Sequence, residues 1–112
     1  IFKQFKTVTA ETSAGSPTLT SVDYFTLPAE LEVFSSRDYS NMQEESFLFQ
    51  FDYYKTGSNR IKKKGKTGSS SHWWLRSPSW KDSDSFCFVV NSGTPNYSYA
   101  NHTFGLSPFG CI

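Results

Sequence analysis

His72-Trp73-Trp74-Leu75-Arg76-Ser77-Pro78, followed after a polar interval by Phe86-Cys87-Phe88-Val89-Val90 and then Asn91-Ser92-Gly93, is the stretch that decides the fold. Aromatic and β-branched residues in short runs favour extended chain, Pro78 stops the first run, and Asn-Ser-Gly is a turn signal. Two strands and a turn are therefore expected. Downstream, Thr94 to Asn101 is polar and aromatic, and Phe104 to Ile112 closes the chain with Gly105, Pro108 and Gly110. Were 96–99 a strand, Asn96 and Ser98 would share one face, with Tyr97 and Tyr99 on the other.

Upstream the signals weaken. Phe47, Phe49, Phe51 and Tyr53 alternate with Leu48, Gln50, Asp52 and Tyr54, which favours a strand without excluding a helix. Leu27, Leu31 and Phe34 share a helical face, and Pro28 suits a first turn with Glu30 and Glu32 near its positive end, so a short helix is expected over Pro28 to Phe34. Glu11 to Ser21 reads as loop, as does Ser35 to Glu45. Ile1, Phe2, Phe5 and Val8 suit a strand end or a short helix. The sum is an α+β domain with short helices, a small antiparallel sheet and much irregular loop.

Composition agrees. The 112 residues are 37% apolar and 18% aromatic, which fits one domain with a core of rings and no helical bundle. A formal charge of +1 selects neither nucleic acid nor an anionic membrane as partner. No apolar run approaches the ~20 residues of a membrane span, and no signal peptide is visible. The chain opens on Ile1 rather than Met, as a fragment or processed product would.

Chemistry is sparse. Gly65-Lys66-Thr67 matches the end of a phosphate-binding loop, but Arg60 stands where its first glycine belongs, so Arg60 to Lys66 reads as a solvated basic loop. Cys87 and Cys111 permit one disulfide if the compartment is oxidising, and neither sits in a metal-ligand spacing with His72 or His102. Cys87 lies in an apolar run, where burial keeps a thiol inert. No nucleophile elbow occurs. Asp82 and Asp84 could share a cation or act as a pair, but their Ser and Lys neighbours read as exposed loop. No catalytic residue, metal ligand or cofactor site is expected. The segment from Trp80 to Phe104 instead mixes rings with Asn, Ser, Asp and Thr. Rigid aromatics supply contact area and short polar groups supply adaptable hydrogen bonds, while a polar loop with some rings facing the core has the same composition.

Leu27-Pro28-Ala29-Glu30-Leu31-Glu32-Val33-Phe34, Tyr53-Tyr54-Lys55-Thr56-Gly57-Ser58-Asn59-Arg60-Ile61-Lys62-Lys63, Trp73-Trp74-Leu75-Arg76-Ser77-Pro78 and Gly105 through Ile112, in this order, resemble a bacterial and phage domain family of unassigned activity. That family is similar to C-type lectin-like domains of the formylglycine-generating-enzyme type, and the likeness runs from about Val8 to the end. It implies a single domain over 1–112, a C-type lectin-like fold, a core to which Trp73, Trp74, Phe86 and Val89 or Val90 contribute, and an Arg76 that meets a carboxylate or backbone carbonyls.

Some members resemble the variable proteins of diversity-generating retroelements, in which template adenines are randomised. The resemblance then implies a variable region over 77–112. Its scaffold would be Ser77, Pro78, Ser79, Phe86, Cys87, Val89, Val90, Gly93, Ala100 and Gly105 to Ile112. Its ligand-contacting positions would be Trp80, Lys81, Asp82, Ser83, Asp84, Ser85, Phe88, Asn91, Ser92, Thr94, Asn96, Tyr97, Ser98, Tyr99, Asn101, His102, Thr103 and Phe104. All but Trp80 and Lys81 are reachable from an asparagine codon by changing adenines alone. Such positions must point to solvent, because core changes cost roughly 1–5 kcal/mol against a stability of about 5–15. The implied function is recognition of a protein or cell-surface ligand, on a phage virion or bacterial surface. A glycan lectin and a formylglycine-generating enzyme are the alternatives. Against them, Thr94-Pro95-Asn96 lacks the acid of calcium lectins, Trp80-Lys81-Asp82 has lysine in the middle, and the copper-binding cysteine pair is not recognisable.

Overall fold

The computed structural model describes residues 6–11, 18–23, 25–40, 48–65 and 68–109, the first two segments as backbone only. Strands β1 (Lys6–Glu11) and β2 (Thr18–Asp23) pair antiparallel, Lys6 opposite Asp23 and Glu11 opposite Thr18. Glu11 and the residues from Thr18 to Ser21, expected as loop, are thus strand. Ser/Thr-rich chain reads as loop by composition, yet threonine's branched Cβ suits a pleated ribbon. Ile1, Phe2, Phe5 and Cys111 lie outside the described residues, and with Cys111 any bridge to Cys87.

Helix α1 (Glu30–Phe34) is shorter than the expected Pro28–Phe34. Pro28 and the N-cap Ala29 precede it, with Ala29 extended at φ −83°, ψ 162°. Its buried residues are Glu30, Glu32 and Val33, whereas Leu31 and Phe34 are only half-buried. The expected apolar face is therefore not the inner one. In place of the expected strand around 47–54 the chain runs irregularly to a 3-10 turn at Asp52–Lys55, in which Tyr54 N–H donates to Phe51 O at 3.0 Å. Both alternating sets contain rings, so no polar face fixes a pleat. Phe49 is 79% exposed while Tyr54 is 6% exposed. Phe47 lies outside the described residues.

A second 3-10 turn, Gly57–Arg60, leads to β3 (Lys62–Lys63), which pairs with β4 (Ser70–Ser71). The basic run is thus not wholly solvated. Lys62 Nζ lies 4.8, 5.2 and 5.6 Å from the ring centres of Tyr53, Tyr54 and Trp73, within cation–π range.

The main sheet is β5 (Trp73–Pro78), β6 (Ser85–Val89) and β7 (Pro95–Tyr99), antiparallel with β6 in the centre. Strands β5 and β6 and the turn after them are those that the opening stretch predicts, and β7 falls in the polar, aromatic segment downstream. Trp73 faces Val89 and Trp74 faces Phe88, but Pro78 faces Phe86, so β5 bulges between Trp74 and Pro78. The bulge turns Arg76 away from β6. Its backbone N–H donates to Pro28 O, and its guanidinium binds Leu27 O and the Glu32 carboxylate, so it meets both kinds of acceptor.

Alternation then sorts the sheet. Trp73, Leu75, Cys87 and Val89 join Val33 and Tyr54 in the core, with Phe34, Tyr39 and Phe51 packed around them. Trp74 and Phe86, expected in this core, point to the opposite face and are half-buried, as is Val90. The C-terminal segment closes along β5, with Trp74 N–H donating to Gly105 O and Gly105 N–H to His72 O. Thr26 and Phe109 exchange two backbone hydrogen bonds at 2.9 Å. The described residues thus form an α+β arrangement of one short helix and small antiparallel sheets.

Candidate functional site

The sequence-predicted positions fall into three groups, because β6 and β7 form a hairpin with different chemistry at each end and on its outer face. At the open end, the 82–85 turn is self-bonded. Asp82 Oδ1 accepts the Asp84 N–H at 3.0 Å and Asp82 O accepts the Ser85 N–H at 3.2 Å. Asp84 O takes the Ala100 N–H at 3.1 Å, tying this turn to the end of β7. Trp80 and Tyr99 are each 53% exposed. Lys81 lays its ammonium over the Trp80 ring, 4.4 Å from its centre.

Two shallow cavities meet at Tyr99. One, of about 420 Å³, is lined by Asp84, Phe86, Tyr99, Ala100 and Asn101. The other, of about 320 Å³, is lined by Asp82, Ser85, Asn96, Tyr97, Ser98 and Tyr99. Across the β6–β7 ladder Tyr97 opposes Cys87 and Tyr99 opposes Ser85, while Asn96 opposes Phe88 and Ser98 opposes Phe86. Cross-strand partners share a face, so both tyrosines lie on the core side of the sheet at its uncovered edge, and Asn96 and Ser98 lie on the other side.

The outer face carries the second group. Phe88 packs at 4.6 Å from Phe104, which lies 4.6 Å from Trp74, and His102 stacks on Phe104 at 5.5 Å and 5°. His72 meets both phenylalanines edge-on at 5.2 and 5.1 Å. The third group, Asn91, Ser92 and Thr94, forms the hairpin tip, where Ser92 and Thr94 hydroxyls bond at 3.2 Å and Asn91 N–H donates to His72 Nδ1. Five-residue strands put this tip about 17 Å from the Asp84 end, so these groups are not one contiguous patch. Ser83, Asn101 and Thr103 are exposed.

Six positions depart from the expected exposure: Asp82, Tyr97, Ser98 and Phe104 are half-buried, and Ser85 and Phe88 are buried. Ser85 is 2% exposed and Phe88 is 6% exposed. Ser85 begins the central strand with its carbonyl bonded to Ser79 N–H, and Phe88 is roofed by Phe104. Tyr97 is half-buried, its ring 5.4 Å from Tyr39.

Residues outside 77–112 hold the open end in place. Glu30, with no exposed surface, accepts the Tyr39 and Ser40 N–H groups and the Ser40 hydroxyl. Tyr39 O in turn accepts the Trp80 N–H at 2.9 Å. Glu30 N–H donates to Ser77 Oγ, and Glu32 Oε1 accepts the Ala29 N–H. In sequence Glu30 reads as an acid near the start of a Pro28 to Phe34 helix, and Tyr39 carries no signal. Among the described residues no three His, Cys, Asp or Glu side chains converge on a possible metal position, and no helix is long and apolar enough to cross a membrane. Ring faces, amides and two carboxylates at one open edge can hold a partner by stacking and hydrogen bonding. Cys87 is buried in the core.

By architecture the protein is a small α+β domain with an aromatic edge surface. It belongs to the family described as domain of unknown function DUF6273, whose model matches residues 3–112. Neither the curated proteins nor the solved structures contain a match to it.

Proposed function

We propose that the domain is a ligand-recognition module on a C-type lectin-like scaffold, with its 77–112 segment diversified by a retroelement. The observation that carries this reading is the separation between ribs and surface within one segment. Cys87 and Val89 are fully buried beneath the sheet. Trp80, Lys81, Ser83 and Asp84 before them, and Asn91, Ser92, Thr94, Asn96, Tyr99, Asn101, His102 and Thr103 after them, are exposed. Side chains that can change without cost to the core therefore flank, on both sides, central-strand residues that cannot change, which supports a variable surface carried on a fixed rib.

The ligand in this reading is a protein or a cell-surface structure, met on a phage virion or bacterial surface, and the domain binds without catalysis or a required metal. The deciding observation is the surrounding DNA. A near-copy of the codons for residues 77–112, differing at adenines and lying beside a reverse transcriptase gene, is expected. An intact locus with neither would overturn diversification. Chelator-sensitive binding on a glycan array would move the function to the calcium lectins.

A further inference from the structure

We propose that the open end of the hairpin, in this particular chain, takes arginine side chains from a polypeptide partner. This rests on the recognition reading above and adds the chemistry of the ligand.

Tyr99 lines two cavities, and one carboxylate lines each: Asp84, with Asn101, in one and Asp82, with Asn96, in the other. Among the described residues neither carboxylate is in an ion pair. The segment from Trp80 to Phe104 has one lysine and no arginine, and that lysine, Lys81, is drawn over the Trp80 ring. The uncompensated charge at the cavities is negative, so the complementary partner is cationic.

The rings select among cations. A guanidinium is planar, stacks on an aromatic face and forks onto a carboxylate, whereas an ammonium is a compact, strongly hydrated point charge. A half-exposed tyrosine with a carboxylate in each cavity that it lines offers stacking and forked bonding together. Two such places sharing one ring fit two arginines of one segment laid across Tyr99. The Asn101 amide is placed to bond the segment's backbone, while the Asn96 amide oxygen is held by the Tyr97 N–H at 2.8 Å.

The test is selection of a random dodecapeptide display library on the whole chain, with enriched peptides synthesised and titrated by fluorescence anisotropy. The proteins titrated are the native chain, Tyr99→Ala and the double variant Asp82→Asn, Asp84→Asn. Asparagine keeps the Oδ1 that accepts the Asp84 N–H, so the turn survives. Enriched peptides are expected to carry arginine, to weaken about tenfold on each variant, and to weaken when their arginines become lysine. Peptides without arginine that bind the Asn variant unchanged would overturn the arginine assignment. If these still lose affinity on Tyr99→Ala, the recognition surface stands. If Tyr99→Ala is also silent, or no peptide is enriched, both fall.

Discussion

Glu30 shows how much one side chain decides. A carboxylate with no exposure needs partners, and the Tyr39 and Ser40 N–H groups and the Ser40 hydroxyl are among those that satisfy it. In Glu30→Gln the amide turns one acceptor into a donor facing other donors. A loss of about 1–3 kcal/mol is expected by urea unfolding, together with a change in Trp80 fluorescence, since Tyr39 O holds the Trp80 N–H. Tyr54 gives a pH-dependent counterpart. Burial pushes its phenol above the ordinary value of 10.0, opposed by a hydrogen bond with Ser107. The folded state thus prefers the neutral ring more than the unfolded chain does. This contribution is complete below about pH 10 and is lost as pH rises through the folded value. Melting temperatures taken upward from pH 9 should fall more steeply for the native chain than for Tyr54→Phe. The sequence showed Glu30 and Glu32 only as acids suited to a helix N-terminus. Charges default to the surface, and the groups that bury these two lie far along the chain, at Tyr39, Ser77 and Arg76. That Arg76 meets an acceptor was implied by the resemblance, while the acceptors themselves, Leu27 O and the Glu32 carboxylate, lie more than forty residues away.

Among the elements, β5, β6 and the turn after them were readable because local propensity and tertiary demand coincide there. The 48–55 segment was not. Its rings occupy both parities, and Phe51 N–H bonds to Glu32 O rather than to a neighbouring strand. The β6–β7 turn shows what such agreement rests on. Gly93 has φ +90°, and a Cβ there would stand 3.2 Å from Ile61 Cγ1. Its N–H closes the turn onto Val90 O at 2.7 Å. Gly93→Ala is expected to cost about 1–3 kcal/mol, read as a lower urea midpoint at unchanged slope. An unchanged midpoint would mean that the turn relaxes freely.

For the molecule as a whole, the two edge tyrosines separate stability from recognition. The resemblance treats Tyr97 and Tyr99 alike, as ligand-contacting positions that point to solvent. Their shared face was legible from alternation, but the Tyr39 ring behind Tyr97 comes from a segment with no local link to it. Tyr97→Ala should therefore lower the melting temperature by several degrees, and Tyr99→Ala should leave it nearly unchanged. Calorimetry of both variants checks this, and equal effects would refute the asymmetry. The site was legible as a list of residue types, but its division into edge, outer face and tip depends on the hairpin's register.

The ring of Phe104 lying on Phe88 also sets a rule for anyone building combinatorial libraries on this scaffold. Two positions in contact do not contribute independent alphabets, because a residue that shrinks at one leaves a void that only a larger residue at the other can fill. Randomising both freely would spend most clones on mismatched volumes. Drawing 88 and 104 as matched pairs, while leaving Ser83, Asp84, Asn96 and Asn101 free, would concentrate the library on members that fold.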